Sequence, residues 1–211
     1  MAETDPVTEP YRDGRQQHDA AMMGMYVFLG SEIMLFGGIA AVALSLRLLH
    51  SAEIVQASRA LHFGIGGANT VVLLTSSLCV ALAAEAAKCG KAGAAASRFA
   101  LATALGLVFL TVKAYEYHAE FDEGLLPVPG VATRYTSNAQ HLFMDLYLVA
   151  TSLHALHLVI GITLLCVLAI RVASGAYPLP QRAIVVITAG LYWHFVDVVW
   201  IFLYPLFYLA R

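Results

Sequence analysis

Five stretches of this chain are too long and too apolar to pack in water. They run about Met23–Leu46, Gly64–Ala87, Phe99–Tyr117, Leu142–Ile170 and Ile184–Leu209. A helix needs about 20 mostly apolar residues to cross the roughly 30 Å hydrocarbon layer of a bilayer. Strands of a membrane barrel would be shorter and would alternate apolar with polar residues, and these runs do not alternate. Composition points the same way. Apolar residues make up 60% and charged residues 12%, against roughly half and a quarter in soluble domains. The expected fold class is all-α: an integral membrane bundle of five transmembrane helices over residues 23–211, preceded by a polar tail over residues 1–22. Glycine and alanine recur within the runs, which suits close helix–helix approach in lipid.

The tail is polar and slightly acidic, unlike a cleavable leader, which begins basic and runs directly into a short apolar stretch. Basic residues then set the orientation. With the N-terminus in the cytoplasm, Arg12, Arg15, Lys88, Lys91, Arg98, Arg171 and Arg182 lie inside, and Arg47, Arg59, Arg134 and Arg211 outside. That excess predicts an N-in, C-out protein. The longest linker, His118–His141, holds Pro127, Pro129 and Gly130 and is expected to fold over one membrane face.

Ionisable groups inside hydrocarbon are costly, so each is a candidate functional residue. Glu32 lies about 13 Å into the first span at 1.5 Å per residue. Asn69, Thr70, Ser76 and Ser77 form a polar line on the second span, and hydrogen-bonded packing is the plain reading. Lys113 and Glu116 stand three apart near the end of the third, where an ion pair or a lipid headgroup would satisfy both. His154 and His157 share a face of the fourth span, as residues three apart do. His194 and Asp197 do the same in the fifth, and Trp200 extends that face. The histidines have two readings. They are either cross-helix hydrogen-bonding groups or ligands of haem iron, copper or zinc.

Other chemistry is thin. Cys79, Cys89 and Cys166 form no metal or disulfide spacing. There is no GxSxG, no HExxH and no glycine-rich nucleotide loop, and no basic tract suggests a nucleic-acid partner. The residues alone leave open a membrane subunit, a haem-binding electron carrier, and a small transporter with a proton relay. No inverted repeat or broken-helix pair supports the transporter.

Taken in order, however, the spans carry a set of motifs: YVFLGSEIMLFGGI around Glu32, NTVVLLTSS from Asn69, GLVFLTVKAYEY around Lys113 and Glu116, TSLHALHLVIGI around His154 and His157, and YWHFVDVVWIFLYPLFYL around His194, Asp197 and Trp200. This ordered set, from about Tyr26 to Leu209, resembles subunit III of the haem-copper respiratory oxidases. A nitric-oxide-reductase-associated homologue belongs to the same superfamily, and quinol oxidases have such subunits too.

The resemblance implies a tilted-helix bundle with a phospholipid-filled cleft, in the shorter form that lacks the first two of seven spans. It implies a non-catalytic subunit that packs against catalytic subunit I, with subunit II in the same complex, stabilises the catalytic subunit and supports proton uptake. Haem and copper would sit in the partner catalytic subunit and none in this chain. Glu32, Asn69, Lys113, Glu116, His154, His157, His194, Asp197 and Trp200 become candidates for lipid or subunit contact. The resemblance favours cross-helix hydrogen bonds over metal ligation for the histidines. Ser152 and Ala155 replace usual glycines and are expected to alter packing around the fourth span. Asp145 has no assigned role.

Overall fold

A computed structural model describes residues 13–126, 134–135, 137–179 and 183–210. Six helices account for most of them: α1 (Gly14–Leu49), α2 (Ser51–Ala60), α3 (Phe63–Lys88), α4 (Ala92–Asp122), α5 (Asn138–Ala173) and α6 (Ala183–Tyr208). All but α2 are long and apolar enough to span a bilayer, and the described residues include no strand. The chain is a multi-pass, all-helical membrane protein. Arg12, Arg182, Arg211 and the linker residues Pro127, Pro129 and Gly130 lie outside the described residues.

The helices run past the apolar stretches. α1 begins at Gly14, well before Met23, because Asp13 caps it: its side chain accepts a hydrogen bond from the Gln16 amide at 2.7 Å. Such a cap satisfies a backbone donor that a helix end otherwise leaves unpaired. The 36 residues of α1 reach about 54 Å at 1.5 Å per residue, so its polar first turns project beyond the hydrocarbon layer. α4 continues past Tyr117 to Asp122, which carries Glu120 onto the helix. The linker expected after the first span contains α2.

Helices α3 to α6 close into a ring: α3 packs on α4 and α6, and α5 joins α4 to α6. The core lies inside that ring. Trp193 of α6 fills it, and two glycines make room. A methyl group on Gly106 of α4 or Gly161 of α5 would sit 2.9 Å or 2.8 Å from the Trp193 ring. α1 lies outside the ring against α5 and α6, and only Phe36 and Ala43 of its residues are buried. α2 clasps the ends of α5 and α6. Ser58 Oγ donates to the Phe207 carbonyl at 2.6 Å, Gln140 Nε2 donates to Gln56 Oε1 at 3.0 Å, and Ser137 bonds Glu53. α3 turns into α4 through Gly90, whose φ of 70° is the left-handed conformation that glycine adopts without strain. Ser152 is exposed on the outer side of α5 and hydrogen-bonds Tyr117 of α4. Asp145 also faces outward, and nothing in the structure explains an acid there.

Candidate functional site: polar clusters between the helices

The polar residues within the spans fall into three clusters and one isolated ring. The first joins α1 to α5. His157 Nε2 lies 3.1 Å from Glu32 Oε2, and His157 Nδ1 lies 2.8 Å from the Leu153 carbonyl. A carbonyl only accepts, so Nδ1 carries a hydrogen. Nε2 then either accepts the proton of a neutral Glu32 or donates to its carboxylate as an imidazolium. Either way the pair is electrically neutral, as a site in hydrocarbon requires. Phe36 packs edge-on against the imidazole, and Tyr192 of α6 donates to the His157 carbonyl at 3.0 Å.

The second cluster runs along α3 in two adjacent stripes. Asn69 and Ser76 face α4 and donate to the Phe109 and Ala102 carbonyls at 3.1 and 3.0 Å. One position on, Thr70 and Ser77 face α6. Trp200 Nε1 donates to Thr70 Oγ1 at 3.0 Å, and Ser77 Oγ lies 2.6 Å from His194 Nδ1. Asp197 is buried beside Ser77 and His194. Residues seven apart fall on one helix face, so each stripe repeats its contact two turns along. The hydrogen-bonded packing expected of this polar line is what holds α3 to both neighbours.

The third cluster lies at the far end of α4. Lys113 Nζ donates to Glu116 Oε2 at 2.9 Å, to the Tyr147 hydroxyl at 2.8 Å and to the Tyr208 hydroxyl at 2.5 Å. Tyr208 bonds Glu116 Oε1 at 2.8 Å and Tyr147 bonds Glu120 at 2.9 Å. The ammonium also lies within 5.5 Å of the ring centroids of Tyr117, Tyr147, Trp200 and Tyr208. Such an aromatic surround attracts a desolvated cation. Lys113 is 3% exposed, and both glutamates are fully enclosed.

His154 stands alone. It is 1% exposed, it stacks on Trp200 with centroids 5.1 Å apart, and Phe109 meets it edge-on. Neither ring nitrogen has a hydrogen-bond partner among the described residues.

Of the two expectations for Lys113 and Glu116, the ion pair is present, enclosed by the aromatic cage. Asn69, His154, Asp197 and Trp200 touch other helices of this chain. Glu32, His157 and His194 lie nearer the outside, and each has a partner within the chain. The described residues include no group of three His, Cys, Asp or Glu side chains placed to hold a metal ion. Glu120 and the two tyrosines were missed. Glu120 does sit four residues past Glu116, one turn along the same face, which was the available signal.

A backbone of membrane helices held together by buried polar pairs fits several protein classes, and the whole-chain comparison decides among them. Residues 14–210 match the family model described as cytochrome c oxidase subunit III. The chain belongs to that family. It is an accessory subunit of a multi-subunit haem-copper oxidase. A protein named cytochrome c oxidase subunit 3 from Thermostichus vulcanus is 31% identical over 198 residues, covering 93% of this chain and 91% of that one. One of the same name from Synechocystis sp. is 30% identical, covering 90% and 76%. A third, from Corynebacterium diphtheriae, is 28% identical, covering 90% and 87%. A different arrangement occurs in Aeropyrum pernix, where this chain matches 23% of a longer protein named heme-copper oxidase subunit I+III at 26% identity. In this subunit III bundle the polar clusters join helices of the same chain.

Proposed function

We propose that this chain packs against subunit I of an inner-membrane cytochrome c oxidase, with subunit II in the same complex, and there stabilises the catalytic subunit and supports its proton uptake. The observation that carries the reading is the subunit III match over residues 14–210. The relative named subunit I+III supports a position beside subunit I, because the two are joined there in one polypeptide. The names of the other relatives favour cytochrome c as electron donor over quinol.

Haem and copper belong to the partner catalytic subunit in this reading. Both His157 nitrogens face oxygens of this chain and His194 Nδ1 faces Ser77, which supports cross-helix hydrogen bonding over metal ligation for these two rings. Phospholipids line the uncovered flank of α1, where exposed Met23, Tyr26 and Val27 offer apolar surface. The N-terminus is cytoplasmic and the C-terminus periplasmic, as the distribution of basic residues favours.

Deleting the chain from its host tests the supporting role. The remaining complex is expected to reduce oxygen at first and to lose activity sooner during turnover than the intact enzyme. Unchanged durability and unchanged proton uptake would contradict the proposal.

A further inference from the structure

The cluster of Lys113, Glu116 and Glu120 has a charge imbalance. One ammonium faces two carboxylates, and all three groups are closed off from the outside. With every group ionised, the site would hold an uncompensated negative charge, which a low-dielectric interior does not tolerate. Among the described residues, neighbours do not cancel it. His154 of α5 is uncharged as a neutral ring, and Tyr117, Tyr147 and Tyr208 carry no positive charge. Beyond the end of α4, Glu123 pairs with His62 at 3.3 Å, Arg134 is exposed, and burial pushes the Tyr135 hydroxyl up to about 12. One additional proton makes the cluster neutral.

The hydroxyls supply a route for that proton. Glu120 lies 2.9 Å from the Tyr147 hydroxyl, Tyr147 lies 2.9 Å from the Tyr208 hydroxyl, and Tyr208 lies 2.8 Å from Glu116 Oε1. Each separation is an ordinary hydrogen bond. Lys113 spends its three N–H groups on Glu116 and the two hydroxyl oxygens. Its donors therefore leave each tyrosine free to pass its own hydrogen along the line.

We propose that Glu116 and Glu120 share a single proton through the hydroxyls of Tyr147 and Tyr208, forming a buried proton-binding site within subunit III. With the proton on Glu120, its O–H donates to Tyr147, Tyr147 donates to Tyr208, and Tyr208 donates to the Glu116 carboxylate. In the transfer the Glu120 O–H bond breaks and that hydrogen binds the Tyr147 oxygen. The Tyr147 hydrogen passes to Tyr208, and the Tyr208 hydrogen passes to Glu116 Oε1. Every hydroxyl ends with one hydrogen and the total charge is unchanged. Groups coupled in this way titrate as a unit and not as separate residues.

Infrared difference spectroscopy on the detergent-purified complex tests the sharing through the carbonyl stretch of protonated carboxyl groups, identified by its shift in heavy water. Neutrality fixes the expected results. Glu120→Gln removes one protonated-carboxyl signal, and so does Glu116→Gln, because the remaining glutamate then balances Lys113 as a carboxylate. A Glu116→Gln complex that keeps the signal would show that charge balance with Lys113 does not set the number of protons in the cluster, and would overturn the proposal. Helical circular dichroism and retention in the complex establish that each variant is folded. Lys113→Met tests the same count in reverse. Without the ammonium, two protons are needed, and the signal is expected to double; an unchanged signal would also overturn the shared site.

Discussion

Glu32 on α1 and His157 on α5 lie 125 positions apart in the chain and meet at 3.1 Å. The pair is the main polar fastening of a helix that otherwise buries little of its surface. α1 therefore depends on it more than the ring helices depend on any single bond. His157→Leu leaves Glu32 without its partner, a loss of about 1–3 kcal/mol for an unsatisfied buried group. Glu32→Leu combined with His157→Leu removes both polar groups and is expected to cost less than His157→Leu alone. Resistance to unfolding in a denaturing detergent, followed by helical circular dichroism, ranks the two.

Trp193 sits in a slot between Gly106 and Gly161, so methyl groups there collide with the indole. Gly106→Ala and Gly161→Ala are each expected to destabilise by about 1–3 kcal/mol, the usual cost of overpacking. Gly93→Ala is the control. It meets nothing within 4 Å and is expected to stabilise α4 by up to about 1 kcal/mol through lost backbone freedom in the unfolded chain. Thermal denaturation in mild detergent compares the three.

Ser58 is buried and its hydroxyl satisfies the Phe207 carbonyl near the end of α6, where no intrahelical donor remains. Ser58→Ala is expected to cost about 1 kcal/mol and to loosen α2 before the ring. Hydrogen exchange measures this directly: the amides of α2 exchange faster while those of α3 and α4 keep their protection.

The His154 ring has two buried nitrogens without hydrogen-bond partners among the described residues and an aromatic neighbour on its face. His154→Phe keeps the stacking and removes the unpaired polar atoms, so stability is expected to hold or rise. The haem content of the purified complex is expected to stay the same, because the proposed function places haem in the partner catalytic subunit. Loss of haem in a folded His154→Phe complex would contradict this account of the residue.

Much of the architecture was legible because length and apolarity alone decide which segments must cross lipid. The helix ends were less so. α1 runs on into the polar tail through Asp13, whose spacing to Gln16 is a capping pattern that hydropathy does not register. α2 is short and no more apolar than an ordinary linker. The local pair Lys113 and Glu116 was readable from spacing, since both lie on one helix. Glu32 with His157, and Ser77 with His194, were not. Each joins helices remote in the chain, and single-helix periodicity says which face a residue occupies but not which neighbour it meets. Tyr147 and Tyr208 read as ordinary aromatic residues of a membrane helix until three helix ends brought them onto one ammonium.

The most direct test of the account is to purify the complex through a tag on this chain and compare its absorption spectrum and subunit content with those of the chain purified alone. The account predicts a haem-bearing catalytic subunit in the complex and no haem absorption from the isolated chain. A Soret band that follows the isolated chain, or a purified chain with no oxidase subunit attached, would contradict it.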